Sequence, residues 1–271
     1  MSITEAKEQY DDAAKRILSN RYVIANILVR LVDEFKGMTL SDVMKRIEGE
    51  IMVGEVPVEP GVTNFEKERI TGFNTEDSEI KEGMVRFDIL FYVRLKDGIA
   101  RMIINIEAQK DEPYNYFILN RSIYYVCRLV SSQKEREFTG MNYNDLKRAE
   151  SIWICMNQNE NTLNHYRLTD ERKLGNRKWK GDENLIGITI IGLSEEESKG
   201  KEYELHRMLW VLFTDKITPA EKCRILEDEF DIPMEVIGEE ENTMCNLSEA
   251  IEERAEKRGI EKGEKRGEYL C

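Results

Sequence analysis

The stretch that decides the fold is MVRFDILFYVRLKDGIARMIINIEAQ, residues 84–109. Apolar and polar side chains alternate over residues 84–95 and again over residues 100–109, which is the period of a β-strand with two different faces. Between the two runs lies Asp97-Gly98, a dipeptide typical of two-residue hairpin turns. The stretch therefore predicts two antiparallel strands joined by a tight turn.

The predicted hairpin places acidic side chains next to each other. With Asp97-Gly98 as the turn, the numbers of directly paired residues sum to 195, so Asp88 lies opposite Glu107. The same register sets Arg86 opposite Gln109, and alternation puts all four side chains on one face. Two opposed carboxylates repel each other, and a bound cation, an ion pair with Arg86 or a proton held by one acid would offset the repulsion.

The polar face of the hairpin has two interpretations. It is the solvated side of an antiparallel sheet, or it is a partly covered face that binds an ion. The same face also carries Leu90, Tyr92 and Ile103, which predicts a covering element such as a helix. Carboxylates on a partly buried face favour a hard cation such as Mg²⁺ or Mn²⁺.

The rest of the chain predicts helices on either side of this hairpin. The predicted elements are a helix over 13–35, a linker over 39–66 with one short strand or helix, an edge strand over 70–80, a helix over 116–132, strands over 150–157 and 184–193, and two helices within 202–230. The last helix is expected to open at Thr218 and Pro219, a capping residue followed by proline at the first helical position. This order indicates an α/β (α+β) protein in which helices flank a mixed central sheet.

Composition limits the class of protein and its partners. The chain has 271 residues, a net charge of −13, 41% hydrophobic and 34% charged residues, as in ordinary globular proteins. It has no apolar run of transmembrane length and its first residues are charged, so we expect no membrane partner and a cytoplasmic location. Because DNA affinity depends on Lys and Arg at phosphates, the negative charge argues against nonspecific coating of DNA.

We divide the chain into three parts. Residues 1–195 are predicted to form the main domain, residues 196–238 a helical extension, and residues 239–271 a charged tail. The tail interleaves Glu, Lys and Arg and repeats glycine every four residues, as expected of a frayed helix or a disordered segment. A short oligomerisation helix, giving a homo-oligomer, and an arm that touches nucleic acid are the two alternatives for it.

The order of these blocks resembles one known bacterial group. Asp88, a hairpin and then Glu107-Ala108-Gln109 resemble the active-site pattern of PD-(D/E)XK nucleases. The further blocks are EIKEGMVRFDILFYVRLKDG (79–98), NIEAQKDEP (105–113), LNRSIYYVCRLVSSQKEREF (119–138) and SIWICMN (151–157). Together they resemble the PD-(D/E)XK nuclease family transposases, which are related to recombination-promoting nucleases, over roughly residues 14–195.

The resemblance implies a restriction-endonuclease-like αβββαβ core and a Mg²⁺-dependent DNA endonuclease of a mobile-element or recombination type. Asp88 and Glu107 would ligate Mg²⁺ or Mn²⁺, and Glu34 or Glu79 would be the third acid. Arg86 and Arg121 are the candidates for DNA phosphate contact.

Gln109 departs from the superfamily pattern, which has lysine at that place. A neutral amide can hydrogen-bond but carries no charge toward a phosphate. Lys81 and Lys110 are candidates to replace the lysine, although alternation directs Lys110 to the face opposite Glu107. The alternative function is therefore a catalytically weakened fold that acts as a DNA-binding or protein-interaction module.

Overall fold

A computed structural model of the protein describes residues 12–58, 85–95, 98–107, 115–134, 137–233 and 235, with the backbone alone described at 54–58, 85–87, 98–99 and 101–107. In the described part, a mixed six-stranded sheet has the strand order β1-β2-β3-β4-β6-β5. The strands are β1 (Ile47–Val58), β2 (Val85–Leu95), β3 (Gly98–Glu107), β4 (Ala149–Gln158), β5 (Thr162–Arg167) and β6 (Ile186–Ser194).

The sheet combines two kinds of pairing. Strands β1, β2 and β3 form an antiparallel meander, β4 lies parallel to β3, and β6 lies parallel to β4. Strand β5 pairs antiparallel with β6 and ends the sheet. The parallel connection from β3 to β4 needs a crossover element, and helix α4 (Ile118–Ser131) lies between these strands in the chain.

Helices cover both faces of the sheet. Besides α4 they are α1 (residues 12–18), α2 (Arg21–Leu31), α3 (Leu40–Met44), α5 (Glu204–Phe213) and α6 (Pro219–Phe230), with 3₁₀ turns at Asp33–Phe35, Tyr143–Asp145 and Lys201–Tyr203. One sheet face, with Ile89, Phe91 and Val93 from β2, packs into a cluster with α1, α2, α5 and α6. The other face, with Leu90 and Trp153, packs under α4.

This architecture confirms the predicted α/β fold and its αβββαβ order. It also confirms that the face bearing Leu90 is covered, because Ile118, Val126 and Leu129 of α4 belong to the same buried cluster. The predicted strand over 84–95 and helix over 116–132 agree with β2 and α4 within two residues at each end. The Leu90 face is therefore partly buried rather than open to solvent.

The predicted single helix over 13–35 is wrong. The chain forms α1, α2 and a 3₁₀ turn there, because Asn20 leaves the helical conformation and its side chain accepts a hydrogen bond from the Tyr22 backbone N–H at 2.9 Å. Residues 39–66 were predicted to be mostly linker, whereas they contain α3 and the 12-residue strand β1. Strand β5 was not predicted, and the expected edge strand over 70–80 lies outside the described residues.

Candidate functional site

The hairpin that carries the acidic residues has a different register from the predicted one. Leu95 pairs with Gly98, and the pairing continues without a register shift to Ile89 and Ile104. The residue numbers of each pair therefore sum to 193. Gly98 is thus the first residue of β3, and residues 96 and 97 connect the strands. The predicted turn at Asp97-Gly98 and the direct opposition of Asp88 and Glu107 are wrong. A slip of two residues leaves every side chain on its face, so apolar alternation cannot distinguish the two registers.

The corrected register keeps the two acids together in a different geometry. The ladder ends at Ile89 and Ile104; continued by one residue, it would set Asp88 across from Asn105 and make the backbone positions of Asp88 and Glu107 diagonal. Diagonal positions on neighbouring strands lie about 7–8 Å apart. Glu107 ends β3 and pairs with Cys155, whose side chain is buried on the α4 side of the sheet.

Asp88 is held by a lysine that the sequence did not single out. The Nζ atom of Lys15, on α1, lies 3.2 Å from Oδ1 of Asp88, and the two side chains are 16% and 25% exposed. Lys15 stands in the charged first segment of the chain, far from the hairpin in sequence. Only the packing of α1 brings it to Asp88, so no local pattern in the sequence could have found it.

Arg121 lies on the same side of the sheet, within a group of aromatic rings. Its guanidinium donates to the hydroxyls of Tyr116, at 2.6 Å, and Tyr125, at 3.0 Å. It also lies 5.1 to 5.5 Å from the ring centroids of Tyr116, Tyr125 and Trp153. Trp153 pairs with Asn105 on β3, two residues before Glu107, so Arg121 lies beside a β4 residue whose backbone neighbours the end of β3.

The remaining predicted site residues have mixed outcomes. Glu34 lies in the 3₁₀ turn beside Asp33, whose carboxylate is 3.6 Å from the guanidinium of Arg167 on edge strand β5. Three strands separate β5 from β2, so this position favours a surface role for Glu34 over a role as metal ligand. The structure does not describe Glu79, Gln109 or the tail over 239–271. Of Glu107 and Arg86 it describes only the backbone.

The donor set of this face is compatible with magnesium. Mg²⁺ is commonly bound by one or two carboxylates together with waters and substrate phosphates. Asp88 and Glu107 belong to the neighbouring strands β2 and β3, and Lys15 contacts one oxygen of Asp88. Within the described ranges, no three histidine, cysteine, aspartate or glutamate side chains cluster in a way that would hold a metal ion.

An αβββαβ core with acids on the second and third strands defines a nuclease-like class of protein. A family model described as PD-(D/E)XK nuclease family transposase matches residues 66–269, and the chain belongs to this family. The family connects the chain with nuclease activity in mobile elements and with DNA as substrate, and these nucleases generally use divalent metals.

The match differs in extent from the resemblance seen in the sequence. It starts at residue 66 and reaches residue 269, so it includes the two last helices and most of the charged tail. No significant match was found among curated proteins or among solved structures. Of the described helices, none has the length and apolar character needed to cross a membrane.

Proposed function

We propose that the protein is a metal-dependent DNA endonuclease whose site is formed by Asp88 and Glu107. The observation that supports it best is that Asp88 and Glu107 lie on the adjacent antiparallel strands β2 and β3 of a chain that belongs to this nuclease family. The family match supports nuclease activity and a DNA substrate, and the acidic face adds the metal dependence to the proposal.

Different parts of the chain would contribute to metal binding and to shielding the site from water. Mg²⁺ or Mn²⁺, when bound, would acidify a water and neutralise charge on the phosphodiester in the transition state. Asp88 and Glu107 would hold the cation through their carboxylate oxygens. Helix α4 shields the same face of the sheet from water, which strengthens electrostatic interactions there. The net reaction adds one water across a P–O bond, forming a new P–O bond and releasing the sugar oxygen with a proton.

Arg121 is proposed to meet the DNA backbone. Its guanidinium is positioned by two phenol hydroxyls and three rings, so little side-chain entropy would be lost when a phosphate approaches. Arginine also matches the geometry of phosphate oxygens better than lysine does. Arg86, whose backbone pairs with Pro57 on β1, is the second proposed contact.

The test is nicking of supercoiled plasmid by the full chain with Mg²⁺, with Mn²⁺ and with EDTA. We expect metal-dependent nicking that falls by at least about 100-fold in Asp88→Asn and in Glu107→Gln, which keep the size of each side chain. Asp42→Asn, on the exposed surface of α3, is the matched control and should cleave like the wild type. Cleavage by both site variants at the wild-type rate would show that the site lies elsewhere.

The second candidate is a module of the same fold that binds DNA without cleaving it. It is favoured by the neutral Gln109 at the lysine position and by the ion pair that engages Asp88 with Lys15. This function predicts DNA binding that weakens with salt and persists in EDTA, with no nicking under any metal. The plasmid assay and a binding titration on the same preparation separate the two functions.

A further inference from the structure

Helix α4 presents an uncharged face to solvent. Its buried side chains, which lie on the side of the sheet, are Ile118, Ser122, Val126 and Leu129. The exposed residues of α4 and its N-cap are Phe117, Asn120, Ile123, Tyr124, Cys127 and Ser131. None of these six is acidic or basic, although 34% of the residues in the chain are charged.

Helix α6 shows how a helix of this chain is adapted to water. Its exposed residues are Ala220, Glu221, Arg224, Glu227, Asp228 and Glu229. Five of these six are charged, whereas none of the six on α4 is. Depletion of charged residues, with enrichment of aromatic ones, is the compositional mark of the centre of a protein–protein interface. The outer face of α4 therefore has the composition of a contact surface.

The spacing of the exposed residues on α4 indicates what kind of element they contact. Phe117 is 64% exposed, Tyr124 is 52% exposed and Ile123, which flanks them, is 45% exposed. Five positions separated by three or four residues form one seam along the helix: Phe117, Asn120, Tyr124, Cys127 and Ser131. Alternating steps of three and four are the spacing with which two helices pack side by side. The seam therefore fits another helix.

Charge selects among the partners that could supply this helix. Nucleic acid needs exposed lysine or arginine at its phosphates, and both arginines of α4, Arg121 and Arg128, are half-buried. A strongly charged protein partner would find no opposite charge on the seam. A second copy of this chain fits, because two uncharged seams can meet without bringing like charges together, even though each chain has a net charge of −13.

We infer that α4 binds α4 of a second copy of this chain, with the seam as a two-fold contact. Tyr124 is the middle residue of the seam and meets the partner's Tyr124 at the two-fold axis. A seam on one helix is smaller than the about 800 Å² per partner of stable complexes, so the dimer is weak, with a Kd on the order of 10 µM or above. The inference does not depend on DNA cleavage or on the acids of β2 and β3.

The experiment is sedimentation equilibrium of the full-length protein over about 1–300 µM, with reductant and without DNA or metal. The wild type is compared with Tyr124→Glu, Tyr124→Lys, Tyr124→Phe and the exposed α6 control Arg224→Glu. Tyr124→Glu and Tyr124→Lys should each raise the Kd at least about tenfold, because like charges then meet at the axis. Tyr124→Phe and Arg224→Glu should associate like the wild type.

Mixing the two charged variants tests the contact itself. An equimolar mixture of Tyr124→Glu and Tyr124→Lys should associate at least about tenfold more tightly than either variant alone, because opposite charges then meet. A folding defect would not be repaired by mixing, so the mixture remains decisive if either variant melts below the wild type. A mixture that associates no better than its components overturns the inference.

Two further results would also overturn it. One is a wild type that stays monomeric over the whole concentration range. The other is wild-type association by both charged variants, which would place the contact elsewhere, for example in the tail over 239–271.

Salt gives an independent readout of the same contact. Two copies that each carry a net charge of −13 repel each other, and salt screens this repulsion. Association through the uncharged seam should therefore hold or tighten when NaCl is raised from about 0.05 to about 0.5 M. A Kd that rises at least about fivefold over this range would show that ion pairs join the copies, and would overturn the seam as the contact.

Discussion

Gly187, one of the two glycines of β6, lies against a carboxylate on the neighbouring strand β4. A Cβ atom added to Gly187 would lie 2.0 Å from Oε2 of Glu150, its direct partner on β4. Glu150 is 4% exposed and accepts a hydrogen bond from Nε of Arg148 at 2.8 Å. Gly187 is not among the glycines with positive φ, so the close approach of the Glu150 carboxylate, and not the backbone conformation, disfavours a side chain here.

We therefore predict that Gly187→Ala lowers the free energy of unfolding by about 1–3 kcal/mol, the usual cost of disturbing a buried charged hydrogen bond. The added methyl group would push the carboxylate away from Arg148. Urea denaturation of the wild type and the variant measures the difference. In a Glu150→Ala background the same glycine change should cost little, and a full cost there would contradict the proposed clash.

At the scale of residues, the sequence predicted the two strands that carry Asp88 and Glu107, and the place of these acids in one site stays a prediction. Alternation alone placed Asp88 and Glu107 on one face, because the side-chain period of a strand is two. The register was missed because a slip of two residues preserves both faces, and the choice then depended on the turn alone. Lys15 was missed because its contact with Asp88 joins elements distant in the sequence.

At the scale of elements, α6 begins with a cap that was visible in the sequence. The Thr218 hydroxyl accepts a hydrogen bond from the Glu221 backbone N–H at 3.3 Å, and the Glu221 carboxylate accepts one from the Thr218 N–H at 3.1 Å. This reciprocal arrangement satisfies two N–H groups that the first turn of a helix leaves without partners. Pro219 follows at the first helical position, where no N–H is needed.

We predict that Thr218→Ala lowers the free energy of unfolding by about 1 kcal/mol, because α6 buries Leu226 and Phe230 in the main core. Thermal or urea unfolding measures the loss. Thr218→Ser retains the hydroxyl and should remain within about 0.5 kcal/mol of the wild type. A serine variant as unstable as the alanine variant would show that the methyl group, and not the cap, stabilises this turn.

Glu221 gives the same cap a pH dependence. The hydrogen bonds from the Thr218 backbone and hydroxyl hold the pKa of Glu221 below its ordinary value of 4.5. The ionised form thus stabilises the fold fully above pH 4.5, and this contribution disappears as the pH falls through the lower folded pKa. The stability difference between the wild type and Glu221→Gln should shrink over that same range.

There are physical reasons why some elements could not be predicted from the sequence. Strand β5 is mostly exposed along its length, so it has no apolar alternation that would distinguish it from a loop. Strand β1 contains Gly49 and Pro57 and shows two register shifts against β2, features that an edge strand tolerates. The break between α1 and α2 falls inside a continuous apolar pattern, and only the capping residue Asn20 marks it.

At the scale of the whole molecule, the chain is acidic, and the basic loop between the last two strands is partly neutralised by its own acids. The net charge is −13, and the basic loop over 168–185 joins β5 and β6. That loop lies at the end of the sheet where β3 and β4 begin, whereas Glu107 lies where β3 ends. Three of its cations pair with acids of the same loop: Arg172 with Asp170, Lys173 with Glu171, and Lys178 with Glu183.

This distribution predicts that DNA binding by the whole protein depends on a divalent cation at the acidic face. We expect Ca²⁺, which also takes oxygen ligands, to tighten binding of a short DNA duplex at least about tenfold over EDTA, as measured by fluorescence anisotropy at fixed ionic strength. The increase should vanish in the double variant Asp88→Asn/Glu107→Gln. Arg177→Gln/Lys180→Gln, which removes loop charges, should bind like the wild type. Equal affinity in Ca²⁺ and EDTA, together with weak binding by that loop variant, would place the DNA contact on the basic loop instead.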